Sequence, residues 1–304
     1  MKKSSFILLF VLCLTACSSE IASSSNNSSI VSSLDSSSLG KNSSSNVNSS
    51  NNNITSLDTS NLNSYYNSID FSLTGTALKT ALGTLINKHT NIGYKALWEA
   101  FKTTDKKDNG KVWDMYSNED YDFDKKDSGS GGNEEGDCYN REHSVPNSYF
   151  GKQESSPMYS DLFHLYPTDK YVNNQRGNYP YGETNGGTYK SKNGSKLGSS
   201  TFSGYSGTVF EPIDEYKGDF ARSYFYFVTC YENQDITQSS EAKVVFVKEN
   251  SKNTLTTYAK NLFLKWSKND PVSKKERDRN NAVYTFQKNR NPFIDIPGLE
   301  NFIF

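Results

Sequence analysis

Asn140-Arg141-Glu142-His143-Ser144-Val145-Pro146, then Asp161-Leu162-Phe163-His164-Leu165-Tyr166-Pro167, then Val172-Asn173-Asn174-Gln175-Arg176-Gly177-Asn178-Tyr179 place an unusual density of reactive groups within residues 140–179. Glu142 and His143 are neighbours, so on a strand they project to opposite faces. Both can serve one site only at a strand end or bend, which Pro146 fits. A carboxylate with amide oxygens from Asn173, Asn174 or Asn178 suits Mg²⁺, a hard cation that keeps several waters. Arg141 and Arg176 offer the planar fork that matches phosphate. Imidazole takes a proton from water near neutral pH. Together these are the parts for metal-assisted phosphodiester hydrolysis, although a structural histidine flanked by loop asparagines has the same composition. The chain holds 3 His in all, and His89, just past a helix end, reads as a surface residue.

The order of the motifs narrows the choice. Arg-Glu-His-x-x-Pro, Asp-Leu-x-His-Leu-x-Pro and Val-Asn-x-x-Arg-x-Asn-Tyr closely resemble the bacterial endonuclease I family of secreted nucleases. The likeness continues through Phe210-Glu211-Pro212, Lys217-Gly218-Asp219-Phe220-Ala221-Arg222 and Gln287-Lys288-Asn289-Arg290-Asn291-Pro292. The resemblance implies an α+β fold, a helix-rich single domain containing a ββα-metal (His-Me finger) nuclease core. In it, 139–146 would be the first strand, 161–167 the second and 169–177 the helix. The resemblance places the general base on His143 and the metal ligands on Glu142 and Asn173. It implies Mg²⁺, with Mn²⁺ or Ca²⁺ as alternatives, and products with 5′-phosphates. Arg176, one helical turn from Asn173, is assigned to phosphate contact. Asn178 is the fallback ligand, and His164 supports the site from beneath. Some family members carry His where this chain has Phe163, a position outside the assigned chemistry. The expected substrate is DNA, with RNA as a second, cut without strong sequence preference. The competing reading is a catalytically inactive surface nucleic-acid-binding lipoprotein or adhesin.

Outward from this stretch, the 304-residue chain falls into three parts. Met1-Lys2-Lys3 and the apolar run Phe6 to Leu14 read as a signal peptide (1–16). Leu14-Thr15-Ala16-Cys17 resembles the lipobox of bacterial lipoproteins, which implies lipid on Cys17 and a place on the extracellular face of the cell membrane. Residues 18–60 contain 19 Ser and 8 Asn. Such a segment has too little apolar surface to offset its ordering entropy, so 17–61 reads as a lipidated tether. Residues 62–304 are long enough for one domain with a substantial core, expected to act as a monomer.

Within that domain, Leu78, Leu82, Leu85 and Ile86 recur at helical spacing over 75–88. Helices are also expected over 94–101, 218–231 and 254–268. Another should follow from a capping box at Ser273 and Glu276 and end before Asn291-Pro292. Val112 to Tyr116 reads as a strand, and 127–137 and 183–207 as loops. Cys138 and Cys230 either pair or remain free thiols.

The formal net charge is −1, which excludes a uniformly basic binder. It hides a partition: residues 105–137 hold five Lys against eleven acids, and residues 248–290 hold eleven Lys or Arg against four acids. Nucleic acid senses local patches rather than the total. A basic groove lined by the C-terminal helices and the 188–207 loop is therefore expected, with the acidic segment facing away or near the metal.

Overall fold

The computed structural model describes residues 57–304. The signal peptide, Cys17 and most of the tether lie outside the described residues. Among the described residues no helix is long and apolar enough to cross a membrane.

The elements run in the order α1 (Gly75–Ile86), α2 (Leu97–Thr104), β1 (Tyr139–His143), β2 (Leu165–Asp169), α3 (Lys170–Arg176), β3 (Thr184–Lys190), β4 (Lys196–Ser200), β5 (Thr208–Glu211) and α4 (Asp214–Cys230). They continue with α5 (Ser240–Val245), β6 (Phe246–Glu249), β7 (Lys252–Leu255), α6 (Thr257–Asn269), α7 (Lys274–Gln287) and α8 (Pro292–Asp295). The architecture is mixed α and β, as expected.

α4 forms the centre. Every residue of it except Asp214, Glu215 and Lys217 is buried, the pattern of a helix covered on all sides. α1, α6 and α8 pack against it. Gly83 allows α1 to approach closely, because a Cβ there would lie 2.5 Å from the Thr229 carbonyl oxygen of α4. The core is strongly aromatic: Tyr224, Phe225, Phe227, Phe246, Phe263 and Phe293 pack ring against ring. Many tyrosines bury their rings there while their hydroxyls hold polar groups, which is how a chain only 34% hydrophobic builds its core.

The decisive stretch folds as strand, strand, helix. β1 and β2 pair antiparallel, with Glu142 opposite Tyr166 and His143 opposite Leu165. Asp169 ends β2 and caps α3, its carboxylate accepting from the Val172 amide at 2.9 Å. Gly177, at φ 55°, stops the helix after Arg176. α3 lies against both strands.

Elsewhere the structure departs from the sequence reading. Residues 183–207, expected as loop, carry β3 and β4, which with β5 form a sheet of order β3-β4-β5, irregular in register around Gly187. Val112 to Tyr116 is not a strand. The Asp114 carboxylate instead accepts from the backbone amides of Tyr116, Ser117, Glu119 and Asp169, a local alternative to ladder pairing. The expected capping box is present at Ser273 and Glu276. Pro292 opens the short helix α8, which Asn291 caps.

Candidate active site

β1 and α3 converge on a cavity of about 270 Å³ whose lining includes Arg141, Glu142, His143, Asn173, Arg176 and Asn178. His143 is the last residue of β1, where the strand gives way to the Ser144-Val145-Pro146 bend. This end position lets neighbouring side chains share one cavity.

The His143 ring is 7% exposed. Its Nε2 lies 3.0 Å from the Tyr159 carbonyl oxygen. A carbonyl only accepts, so Nε2 carries the proton and Nδ1 holds the lone pair. Nδ1 takes no hydrogen bond from the described residues. The Tyr94 ring stacks on the imidazole at 5.6 Å and 21°, and Tyr159 meets it edge-on at 4.8 Å. Burial, followed by His164, Arg141 and Arg176, holds the His143 pKa well below its ordinary 6.5, against the opposing hydrogen bond to Tyr159. The imidazole is therefore neutral at neutral pH, the state a general base needs.

Glu142 is 3% exposed. Its Oε1 accepts from Arg176 Nη1 at 2.5 Å and from the Tyr116 hydroxyl at 2.7 Å. That hydroxyl in turn accepts from Tyr181 at 2.6 Å, since its own proton is committed to Glu142. Burial pushes the Glu142 carboxyl above the usual range, while Arg176, Tyr116 and Asn173 pull it back toward the anion. A cation at this carboxylate would add to that pull. Asn173 donates from Nδ2 to Asn140 Oδ1 at 2.9 Å. Its amide oxygen takes no hydrogen bond from the described residues. One carboxylate and one free amide oxygen form an oxygen-only donor pair, which fits a hard divalent cation whose remaining ligands are water.

Arg176 sits differently from the phosphate-facing fork expected of it. It is fully buried. Nε donates to the Tyr179 carbonyl at 3.1 Å, Nη1 to Glu142 and to the His143 carbonyl, and Nη2 to the Ser144 carbonyl at 2.8 Å. Four of its five N–H groups are thus engaged with the protein. Its geometry is that of a strut beneath Glu142 and the end of β1. Asn178 lines the cavity, and its backbone carbonyl accepts from the Tyr149 hydroxyl at 3.0 Å. His164 is fully buried 5.7 Å from the His143 ring, its Nε2 donating to the Met158 carbonyl at 2.7 Å. Burial pushes its pKa down to about 4. Phe163 packs on Tyr226 at 4.7 Å.

Tyr94, Asn140, Tyr116 and Tyr159 belong to the site without being singled out in the sequence. Asn140 lies inside the motif, and its spacing to Asn173 gave no hint of contact. Tyr159 lies between the quoted motifs, and Tyr94 and Tyr116 come from segments before them with no motif of their own.

His89 is not a surface residue. Its side chain is 2% exposed and reaches Asp161 at 3.9 Å and Tyr231 at 3.3 Å. His89, Asp161 and Cys230 place ligand-type atoms within 4.8 Å of one another. However, the Asp161 carboxylate already accepts from the Phe163 amide, Gln287 Nε2, Tyr226 and Tyr231. Burial also raises the Cys230 thiol pKa well above its ordinary value. A saturated carboxylate and a protonated thiol make this a structural polar knot under α4. Cys138 and Cys230 are both buried free thiols.

Three of the cations counted toward the expected basic groove are instead paired with carboxylates. Arg279 is buried against Asp105, Arg290 against Asp295, and Lys275 reaches Asp219. In the acidic segment, Asp120, Asp122 and Glu119 pair with Lys107, Lys111 and Lys192. Part of the partitioned charge is therefore neutralised by ion pairs, while Lys248, Lys268 and Lys288 remain exposed.

A neutral imidazole with an unengaged lone pair lines the same cavity as two hard oxygen donors, an arrangement able to activate water near a bound cation. A family model described as Endonuclease I matches residues 74–298. The extracellular ribonuclease of Bacillus subtilis (strain 168) is 34% identical over 243 residues, covering 78% of this chain and 77% of that protein. The extracellular ribonuclease of Bacillus amyloliquefaciens is 34% identical over 244 residues, covering 79% and 77%. The chain belongs to the endonuclease I family and is a nuclease that hydrolyses phosphodiester bonds.

Proposed function

We propose that the protein is an exported, lipid-anchored endonuclease that needs a divalent cation and cuts both RNA and DNA with little sequence preference. The observation that carries this reading is the meeting of Glu142, His143 and Asn173 in one cavity, with Nδ1 of a neutral His143 unengaged. We read β1, β2 and α3 as the ββα-metal finger. The similarity to two extracellular ribonucleases supports export, and it brings RNA forward beside the DNA that the motifs suggested. Anchoring rests on the lipobox-like Leu14 to Cys17.

In this mechanism His143 removes a proton from water at Nδ1, and the Tyr159 carbonyl holds the ring in the required tautomer. Tyr94 and Tyr159 fix the plane of the imidazole. Glu142 and Asn173 would hold Mg²⁺, or Mn²⁺ or Ca²⁺, which when bound neutralises charge on the phosphate and its leaving oxygen. Arg176 and Tyr116 hold Glu142 in place and favour its anion. Asn140 orients the Asn173 amide.

The test is degradation of plasmid DNA and of an RNA transcript by the folded protein. Cleavage of both with Mg²⁺, abolished by EDTA and restored by excess Mg²⁺, is the expected result. Failure to cleave either substrate with Mg²⁺, Mn²⁺ or Ca²⁺ would contradict the enzyme reading. A gel shift without cleavage would favour a binding module instead.

A further inference from the structure

The chain has six arginines. Arg176, Arg222, Arg279 and Arg290 are each ion-paired with a carboxylate. Arg277 is exposed on α7. Arg141 is different. It sits in the middle of β1, half-buried, and lines the cavity that holds Glu142, His143 and Asn173. Among the described residues no carboxylate lies within ion-pair distance of it. Its guanidinium carbon lies 3.6 Å from the centroid of the Tyr94 ring and 4.4 Å from that of Trp98. One N–H, on Nη1, donates to the Tyr94 carbonyl at 2.8 Å.

We infer that Arg141 grips a phosphate of the substrate beside the general base, the role that the sequence pattern gives to Arg176. This rests on the nuclease reading of the same cavity. Residues two apart on a strand share a face, so Arg141 projects to the same side as His143. Tyr94 touches both, stacking on the imidazole and lying against the guanidinium. A phosphate held by Arg141 is therefore next to the atom that activates water. The two aromatic rings hold the guanidinium plane, so its unspent N–H groups are set before the substrate arrives. A planar fork fixed in this way suits the paired oxygens of a phosphodiester. Partial burial strengthens the attraction relative to water. Four other arginines are already neutralised by carboxylates, whereas Arg141 lacks an anion within the fold.

The test measures binding of a fluorescent single-stranded oligonucleotide at several salt concentrations, with Mg²⁺, in protein carrying His143→Ala. Adding Arg141→Ala should weaken binding and lower the slope of log affinity against log salt by about 0.7, the share of one single-strand phosphate contact. Arg141→Lys keeps the charge but loses the fork and the stack. It should keep the slope and, with His143 intact, lower kcat by roughly tenfold or more. An unchanged slope in Arg141→Ala would overturn the inference. So would wild-type kcat in Arg141→Lys, which alone decides if the alanine variant does not fold. If unsubstituted protein cleaves nothing, the nuclease reading fails, and the binding slope still decides whether Arg141 contacts phosphate.

Discussion

Replacing His143 with alanine should cut kcat by about 10²–10⁴-fold, the range that a positioned general base supplies. Substrate binding should change little, because the imidazole acts on water and not on the strand's charge. An interaction made only in the transition state shows as a fall in kcat and kcat/KM together. The fold should survive. The side chain faces a cavity that water can fill, and the one hydrogen bond lost, from Nε2 to the Tyr159 carbonyl, contributes on the order of 1 kcal/mol. Steady-state kinetics beside a denaturation curve check both halves. Activity within tenfold of the unsubstituted protein would remove His143 from the chemistry.

The second large effect belongs to Arg176, and it should appear in stability. Arg176→Met keeps the stem but removes a guanidinium that serves Glu142 and the carbonyls of His143, Ser144 and Tyr179. Glu142 is then left as a buried charge without its partner. Breaking a buried pair from one side costs about 3–5 kcal/mol. Chemical denaturation should show that loss in the absence of divalent cation. Added Mg²⁺ should recover part of it, because a cation that binds only the folded state stabilises it. Stability within about 0.5 kcal/mol of the parent, with only substrate affinity reduced, would return Arg176 to the phosphate.

These two residues show what the sequence could and could not convey. His143 and Glu142 are adjacent, so their meeting at a strand end depends on a local break that Pro146 advertises. The α3 helix is equally local, bounded by Asp169 at its cap and Gly177 at its end. Arg176 lies one turn from Asn173, and that spacing correctly puts both by the same cavity. It does not reveal that carbonyls from Ser144 and Tyr179 draw the guanidinium beneath the floor. His89 was misplaced for the same reason: the groups that bury it, Asp161 and Tyr231, come from distant segments. β3 and β4 escaped because their Gly, Ser, Asn and Lys content reads as loop and their register breaks near Gly187. Val112 to Tyr116 had the right composition for a strand, but the Asp114 side chain claims the local amides. Charge counting along the chain likewise missed that Arg279 and Arg290 turn inward to carboxylates.

The central claim is that water, activated at Nδ1 of His143, attacks the phosphodiester. Such a reaction has no need of the ribose 2′-hydroxyl. The most direct measurement is end-group analysis of the products from one strand made as RNA, as DNA and as 2′-O-methyl RNA. With water as the nucleophile, the RNA and DNA should both be cut, the 2′-O-methyl strand should remain a substrate, and products should carry 5′-phosphate and 3′-hydroxyl ends. Products ending in 2′,3′-cyclic phosphate, with cleavage confined to strands bearing a free 2′-hydroxyl, would contradict it.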